Sequence, residues 1–149
     1  SGELDAVNLA CAGLERIDRA DLIAEVISPD LMLPAASQGV LGIQTRADDT
    51  ELIDALATIH DTNTHAEATA ERTLLAGLGG GCQVPIGALA VIEGNRVRLT
   101  AATSALDGST SYRTTVAWDA NDSEGAGRAA YAALLEQGAG TLMGIEKTR

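Results

Sequence analysis

The stretch "IGALAVIEGNRVRLTAATSALDGSTSYRTTVAW", residues 86–118, decides the fold. It breaks into "IGALAVIEG", "RVRLTAATS" and "SYRTTVAW", divided by turn chemistry at Glu93-Gly94-Asn95 and Asp107-Gly108. In the second segment Val97, Leu99 and Ala101 alternate with Arg96, Arg98 and Thr100; in the third, Tyr112, Thr114, Val116 and Trp118 share one face. A period of two broken by short turns predicts three strands joined as an antiparallel meander.

Helical patterns flank the meander. Upstream, "DDTELIDALATIHD" sets Leu52, Ala55, Leu56 and Ile59 at helical spacing behind N-terminal acids. In "THAEATAERTLLAGLGGG", Thr64 as N-cap with Glu67 three residues on predicts a capping box, Ala68, Leu75 and Leu78 a buried stripe, and the glycines a stop. Downstream, Ser123 as N-cap and Glu124 open a last helix that carries Leu134 and Leu135 and ends near Gly138–Gly140. Residues 48–149 thus read as a small α+β domain, a three-stranded antiparallel sheet with helices on one face.

Nearer the N-terminus, Pro29 and Pro34 punctuate "SPDLMLPAAS". Before them, Ala6–Ala12 reads as a short buried strand that turns at Gly13 into a short helix; after them, "GVLGIQTR" reads as a second strand. No hairpin signal joins the two, so each is expected to need a sheet supplied from elsewhere. Such open edges also predict self-association of this chain, by strand pairing or exchange between copies.

Composition narrows the function. The 149 residues are 46% hydrophobic, enough for a core, but contain no Phe, one Trp and two Tyr. With a formal net charge of −11, the chain lacks both the clustered cations and the aromatic platforms of a nucleic-acid binder. No apolar run approaches the length of a membrane span, and the reading is a cytoplasmic or matrix-like protein. Cys11 and Cys82 lie outside any CxxC spacing and read as free thiols, while His60 and His65, five apart, lack the spacing of a metal pair on one helical face; no metal site is expected.

One motif asks for chemistry. In "LGGGCQVPIG", residues 78–87, three glycines run into Cys82. Cys11, in an apolar segment, reads as a small buried hydrophobe. Cys82 follows residues whose shared property is the absence of a side chain, which lets backbone and sulfur approach a bulky ligand. It also follows a helix C-terminus, whose negative dipole end disfavours a thiolate, so the position suits a sulfur that reacts once and stays attached better than one that turns over.

"GGGCQVPIG", with "TAERTLLAGL", "LPAASQGVLGI" and "LDAVNLACAGLERI" upstream, resembles the hydroxymethylbilane synthase (porphobilinogen deaminase) family, in block order and spacing. The resemblance implies a transferase of tetrapyrrole and heme biosynthesis that deaminates porphobilinogen and adds four units to a dipyrromethane cofactor. The cofactor is held through a thioether, and Cys82 matches its anchor. Arg16 matches an arginine that binds substrate or cofactor carboxylates. Ala10 and the pair Gln38-Gly39 match positions lining the cofactor and substrate cleft, while Ser37 stands where the family usually has glycine. By the same resemblance, residues 1–30 correspond to the end of a second domain, 31–47 to a segment returning to a first, and 48–149 to a third, the first two being fragments of α/β domains. The segment carrying the family's catalytic aspartate and most of its substrate-binding arginines has no counterpart in these residues. The parent protein is then expected to be a monomeric enzyme acting on porphobilinogen, and this chain alone to be inactive and without the cofactor. Two rival readings stand beside it: a non-catalytic α+β regulatory or dimerisation module in which Cys82 is incidental, and a cysteine hydrolase pairing Cys82 with His60 or His65.

Overall fold

A computed structural model describes residues 2–79 and 85–142. The chain divides into two compact units, Ser1–Met32 and Leu33–Arg149.

The first unit holds one short helix, α1 (Cys11–Arg16), and a single 3-10 turn at Ala20–Leu22. The strand expected over Ala6–Ala12 is not formed: the chain runs without regular structure to Ala10, whose extended backbone (φ −69°, ψ 125°) leads into α1. The strand expected in "GVLGIQTR" is likewise absent. Both segments have strand-like composition, but a strand exists only where a second one offers its backbone groups, and neither segment finds a partner among the described residues. Neither supplies the open edge from which strand-mediated association was expected.

The second unit contains α2 (Thr50–Ala57), α3 (Thr62–Gly77), β1 (Ile86–Glu93), β2 (Arg96–Ser104), β3 (Ser111–Asp119) and α4 (Ser123–Gln137). The strands form one antiparallel sheet in the order β1-β2-β3, with Glu93 opposite Arg96 and Ser104 opposite Ser111. Gly94 (φ +65°) and Gly108 (φ +72°) take the left-handed conformations that the two turns require. The fold class is α+β, as the alternation of residues 86–118 predicts.

Helices α3 and α4 cover one face of the sheet. The core is built from Ala70, Leu74 and Leu78 of α3, Ala126, Ala130 and Leu134 of α4, and Ala88, Ala90, Val97, Leu99 and Ala101 of the sheet. Tyr112 and Val116 of β3 pack against it from the edge, whereas Trp118, on the same alternation, stays partly exposed and donates from Nε1 to Asp122 Oδ2 at 2.9 Å. A core this rich in alanine demands close approach of the helices. A Cβ built on Gly127 would stand 2.5 Å from the Ala70 carbonyl oxygen and 2.6 Å from Thr73 Cβ.

Three details depart from the sequence reading. Helix α3 starts earlier than its expected cap: Asp61 is the N-cap and accepts from Thr64 N at 2.7 Å, so Thr64 is the third helical residue and Glu67 is released from a capping box. Helix α4 is capped by Asp122, which accepts from Gly125 N at 2.9 Å, while Ser123 donates its hydroxyl to the Ala120 carbonyl. In both cases a carboxylate upstream of the expected hydroxyl, by three residues at Asp61 and by one at Asp122, combines the cap with the helix dipole and wins over the hydroxyl. Helix α2 forms behind Asp49 but buries none of its residues, so its apolar spacing does not mark a core face here.

Gly127→Ala is expected to destabilise the second unit by about 1–3 kcal/mol, since the methyl has only backbone and a β-branched side chain to push against. Urea unfolding checks this, and an unchanged midpoint would contradict the close approach.

Candidate functional site

Helix α3 ends with Leu78 as its C-cap, and Gly79 follows in the left-handed conformation (φ +68°). The chain emerges again at Pro85 and enters β1 at Ile86. Cys82, with Gly80 and Gly81, lies outside the described residues. Its two flanks can be stated: Gly79 and Pro85 are both exposed, and nothing stands within 4 Å of where a Cβ on Gly79 would be.

Gln38 and Gly39 follow a segment that lies across the start of β1. Pro34 accepts a hydrogen bond from Ala88 N at 2.9 Å, and Gly87 admits the crossing because a Cβ there would meet Leu33 Cβ at 2.7 Å. Ser37 adopts φ +61°, uncommon for a residue with a side chain, and its hydroxyl is buried with no partner among the described residues. Its N–H donates to Glu71 Oε2 at 2.5 Å. Gln38 and Gly39 are then exposed, with Gly39 at φ +85° and open space where its Cβ would be.

Ala10 and Arg16 belong to the first unit. Both are exposed, Ala10 as the N-cap of α1 and Arg16 in its last turn. Among the described residues Arg16 makes no ion pair, which leaves its guanidinium fork open to an incoming carboxylate. The structure thus brings Ala10 together with Arg16 on one short helix, and Gln38 with Gly39 on one turn.

Two carboxylates of α3 meet the backbone of β1: Glu71, which sequence reasoning passed over, and Glu67, which it assigned to a capping box. Glu71, buried in α3, accepts from Ala90 N through Oε1 at 2.7 Å as well as from Ser37 N, and Glu67, one turn earlier, accepts from Ile92 N at 2.8 Å. Burial raises the Glu71 carboxyl above the ordinary glutamate range; the N–H donors of Ala90 and Ser37 oppose the rise, and the neighbouring Glu67 charge adds to it. A signal was available: Glu67 and Glu71 share a helical stripe with Ala70, Leu74 and Leu78, so a charge sat on the apolar face. His60 and His65 stack obliquely, ring centroids 5.2 Å apart, and no three metal-ligating side chains gather among the described residues.

Residues 1–54 match the family model "Porphobilinogen deaminase, dipyromethane cofactor binding domain", and residues 65–136 match "Porphobilinogen deaminase, C-terminal domain". The chain belongs to the porphobilinogen deaminase family. Among its relatives, the porphobilinogen deaminase of Roseiflexus castenholzii is 42% identical over 142 residues, covering 95% of this chain and 46% of its own length. That of Deinococcus radiodurans is 43% identical over 143 residues, covering 96% and 46%, and that of Nocardia farcinica 44% identical over 151 residues, covering 95% and 44%. The chain spans about half the length of these curated porphobilinogen deaminases. Among the described residues, no helix is long and apolar enough to cross a membrane.

The raised Glu71 value has a consequence for stability. The folded chain holds this proton more tightly than the unfolded chain, so stability falls as pH rises from the ordinary glutamate value of about 4.3 through the raised one. Glu71→Gln carries no such slope. The stability advantage of the unsubstituted chain over E71Q is expected to shrink as pH rises from about 4 through that window. Urea unfolding across pH 4 to pH 7 measures the difference, and an advantage that grew with pH would refute the raised value.

Proposed function

We propose that this chain is the C-terminal part of a porphobilinogen deaminase that deaminates four porphobilinogen units, joins them on a dipyrromethane primer held by Cys82, and releases hydroxymethylbilane. The observation that carries the reading is the match of two porphobilinogen deaminase family models in sequence order, to residues 1–54 and 65–136. In the same reading, residues 1–30 end a second domain, 31–47 return to a first and 48–149 form a third, within a monomeric cytoplasmic enzyme.

Each named residue has a physical role in this proposal. The Cys82 sulfur would add once to an electrophilic methylene carbon conjugated with a pyrrole-ring nitrogen, the methylene double bond giving way to the carbon–sulfur bond and the thiol proton ending on that nitrogen, which leaves a thioether; a single attachment needs no depressed thiol pKa. The described flanks, Gly79 and Pro85, are exposed. When bound, the dipyrromethane group supplies the terminal pyrrole carbon to which porphobilinogen is joined. Arg16 takes an acetate or propionate carboxylate on its fork, with two parallel N–H donors that a lysine could not offer. Gln38 presents an amide donor and acceptor from an exposed turn, and Gly39 and Ala10 allow the ligand to lie against backbone. The catalytic acid and most carboxylate-binding arginines are assigned to the half of the relatives' length that this chain does not span, so these 149 residues alone do not run the condensation.

Intact mass spectrometry tests the anchor. In a full-length porphobilinogen deaminase carrying this sequence as its C-terminal half, a two-pyrrole adduct is expected, and Cys82→Ser is expected to lose it; the isolated chain is expected to carry none. An unmodified mass in the full-length protein would overturn the reading in favour of a binding module. Arg16→Ala in the same protein is expected to lower kcat/KM for porphobilinogen about ten- to hundredfold, the loss of one charge-assisted contact. An unchanged kcat/KM would remove Arg16 from the site.

A further inference from the structure

The Glu71 carboxylate binds the segment before Gln38 and the sheet at the same time. Its two oxygens are divided between them, Oε1 on Ala90 N of β1 and Oε2 on Ser37 N. The rest of the crossing is fixed from below: Pro34 accepts from Ala88 N, and Gly87 lets Leu33 sit directly on the strand. Ser37 itself resists its place, since a residue with a Cβ is strained at φ +61° and its buried hydroxyl finds no partner among the described residues. Such a conformation persists only when its surroundings hold it: Val40 N donates to the Ser37 carbonyl within the turn, and the Ser37 N–H makes a charge-assisted bond to the buried Glu71 carboxylate. The next two residues are the exposed pair Gln38-Gly39.

We propose that Glu71 is a positioning residue for the Gln38-Gly39 turn, and that binding of the dipyrrole and its carboxylates depends on this tether. The inference rests on the assignment of Gln38 and Gly39 to the cofactor and substrate cleft. Glu71 touches no ligand in it; it acts through Ser37. The glutamate's use of both oxygens explains why an amide does not replace it, because a glutamine can accept with one atom only and must leave one of the two N–H donors unpaired.

Glu67 supplies a matched control. It sits on the same helix and accepts the same kind of bond from the same strand, at Ile92, and among the described residues no hydrogen bond ties it to the Leu33–Gly39 segment. In the full-length protein carrying this half, Glu71→Gln is expected to lower the fraction bearing the two-pyrrole adduct, read by intact mass, about tenfold, while Glu67→Gln keeps full loading. Adding Ser37→Gly to E71Q is expected to restore much of the loading, because glycine adopts φ +61° without the tether. A role confined to holding β1 through Ala90 would not be rescued at Ser37, which keeps the test decisive even if E71Q lowers the amount of folded protein. Equal loading of E71Q and the unsubstituted enzyme, equal losses in E71Q and E67Q, or no rescue by S37G would each overturn the inference. An unsubstituted enzyme without adduct would instead sink the cofactor reading itself.

Discussion

The structure depends on how the outer edge of β1 is satisfied. A strand at the rim of a sheet presents a row of N–H groups that water or another chain would otherwise take. Here Ala88, Ala90 and Ile92 point theirs away from β2 and meet the Pro34 carbonyl, Glu71 and Glu67 in turn. The helix that covers the sheet therefore also closes its edge, and the segment leading to Gln38 is held in the same set of bonds. Burying a carboxylate costs free energy, seen in the raised Glu71 value, and two backbone donors offset that cost.

With no Phe and an alanine-rich core, the second unit gains its packing through proximity rather than through large side chains. Gly127 lets α4 lie on the Ala70 carbonyl, Gly125 leaves room for the Trp118 and Asp122 pair over the start of α4, and Gly77 accepts the Tyr131 ring, whose nearest atoms would stand 3.1 Å from a Cβ. The same economy runs through the candidate site, where Gly79 and Gly39 stand in open space. Glycines that face backbone allow contact inside the fold; glycines that face nothing leave a surface for something outside it.

Much of this was legible in the residues. The meander could be read because alternation over Val97, Leu99 and Ala101 and the Gly94 and Gly108 turns are local signals, and local signals survive into the fold. The caps were misplaced by a residue or more because Thr64 and Ser123 compete with Asp61 and Asp122, a contest that dihedral angles decide. Glu71 was passed over, and Glu67 read only as a capping partner, because a glutamate in an alanine-rich helix looks solvated until its partners, the N–H groups of a strand far along the chain, are in place. The strand character of Ala6–Ala12 and of "GVLGIQTR" was real as composition and empty as structure, since among the described residues no partner strand reaches either.

By itself the sequence determined the α+β class, the order of the second unit's elements, and a cysteine stripped of neighbouring side chains, because each rests on residues close together in the chain. Four blocks in a fixed order also carried the family. Tertiary structure alone decided that a helix carboxylate would bridge Ser37 and Ala90, that Gly87 would be the crossing point for Leu33, and that α2 would bury nothing. Those outcomes depend on which backbone donors remain unpaired after the sheet has formed, and that count exists only once the chain has folded.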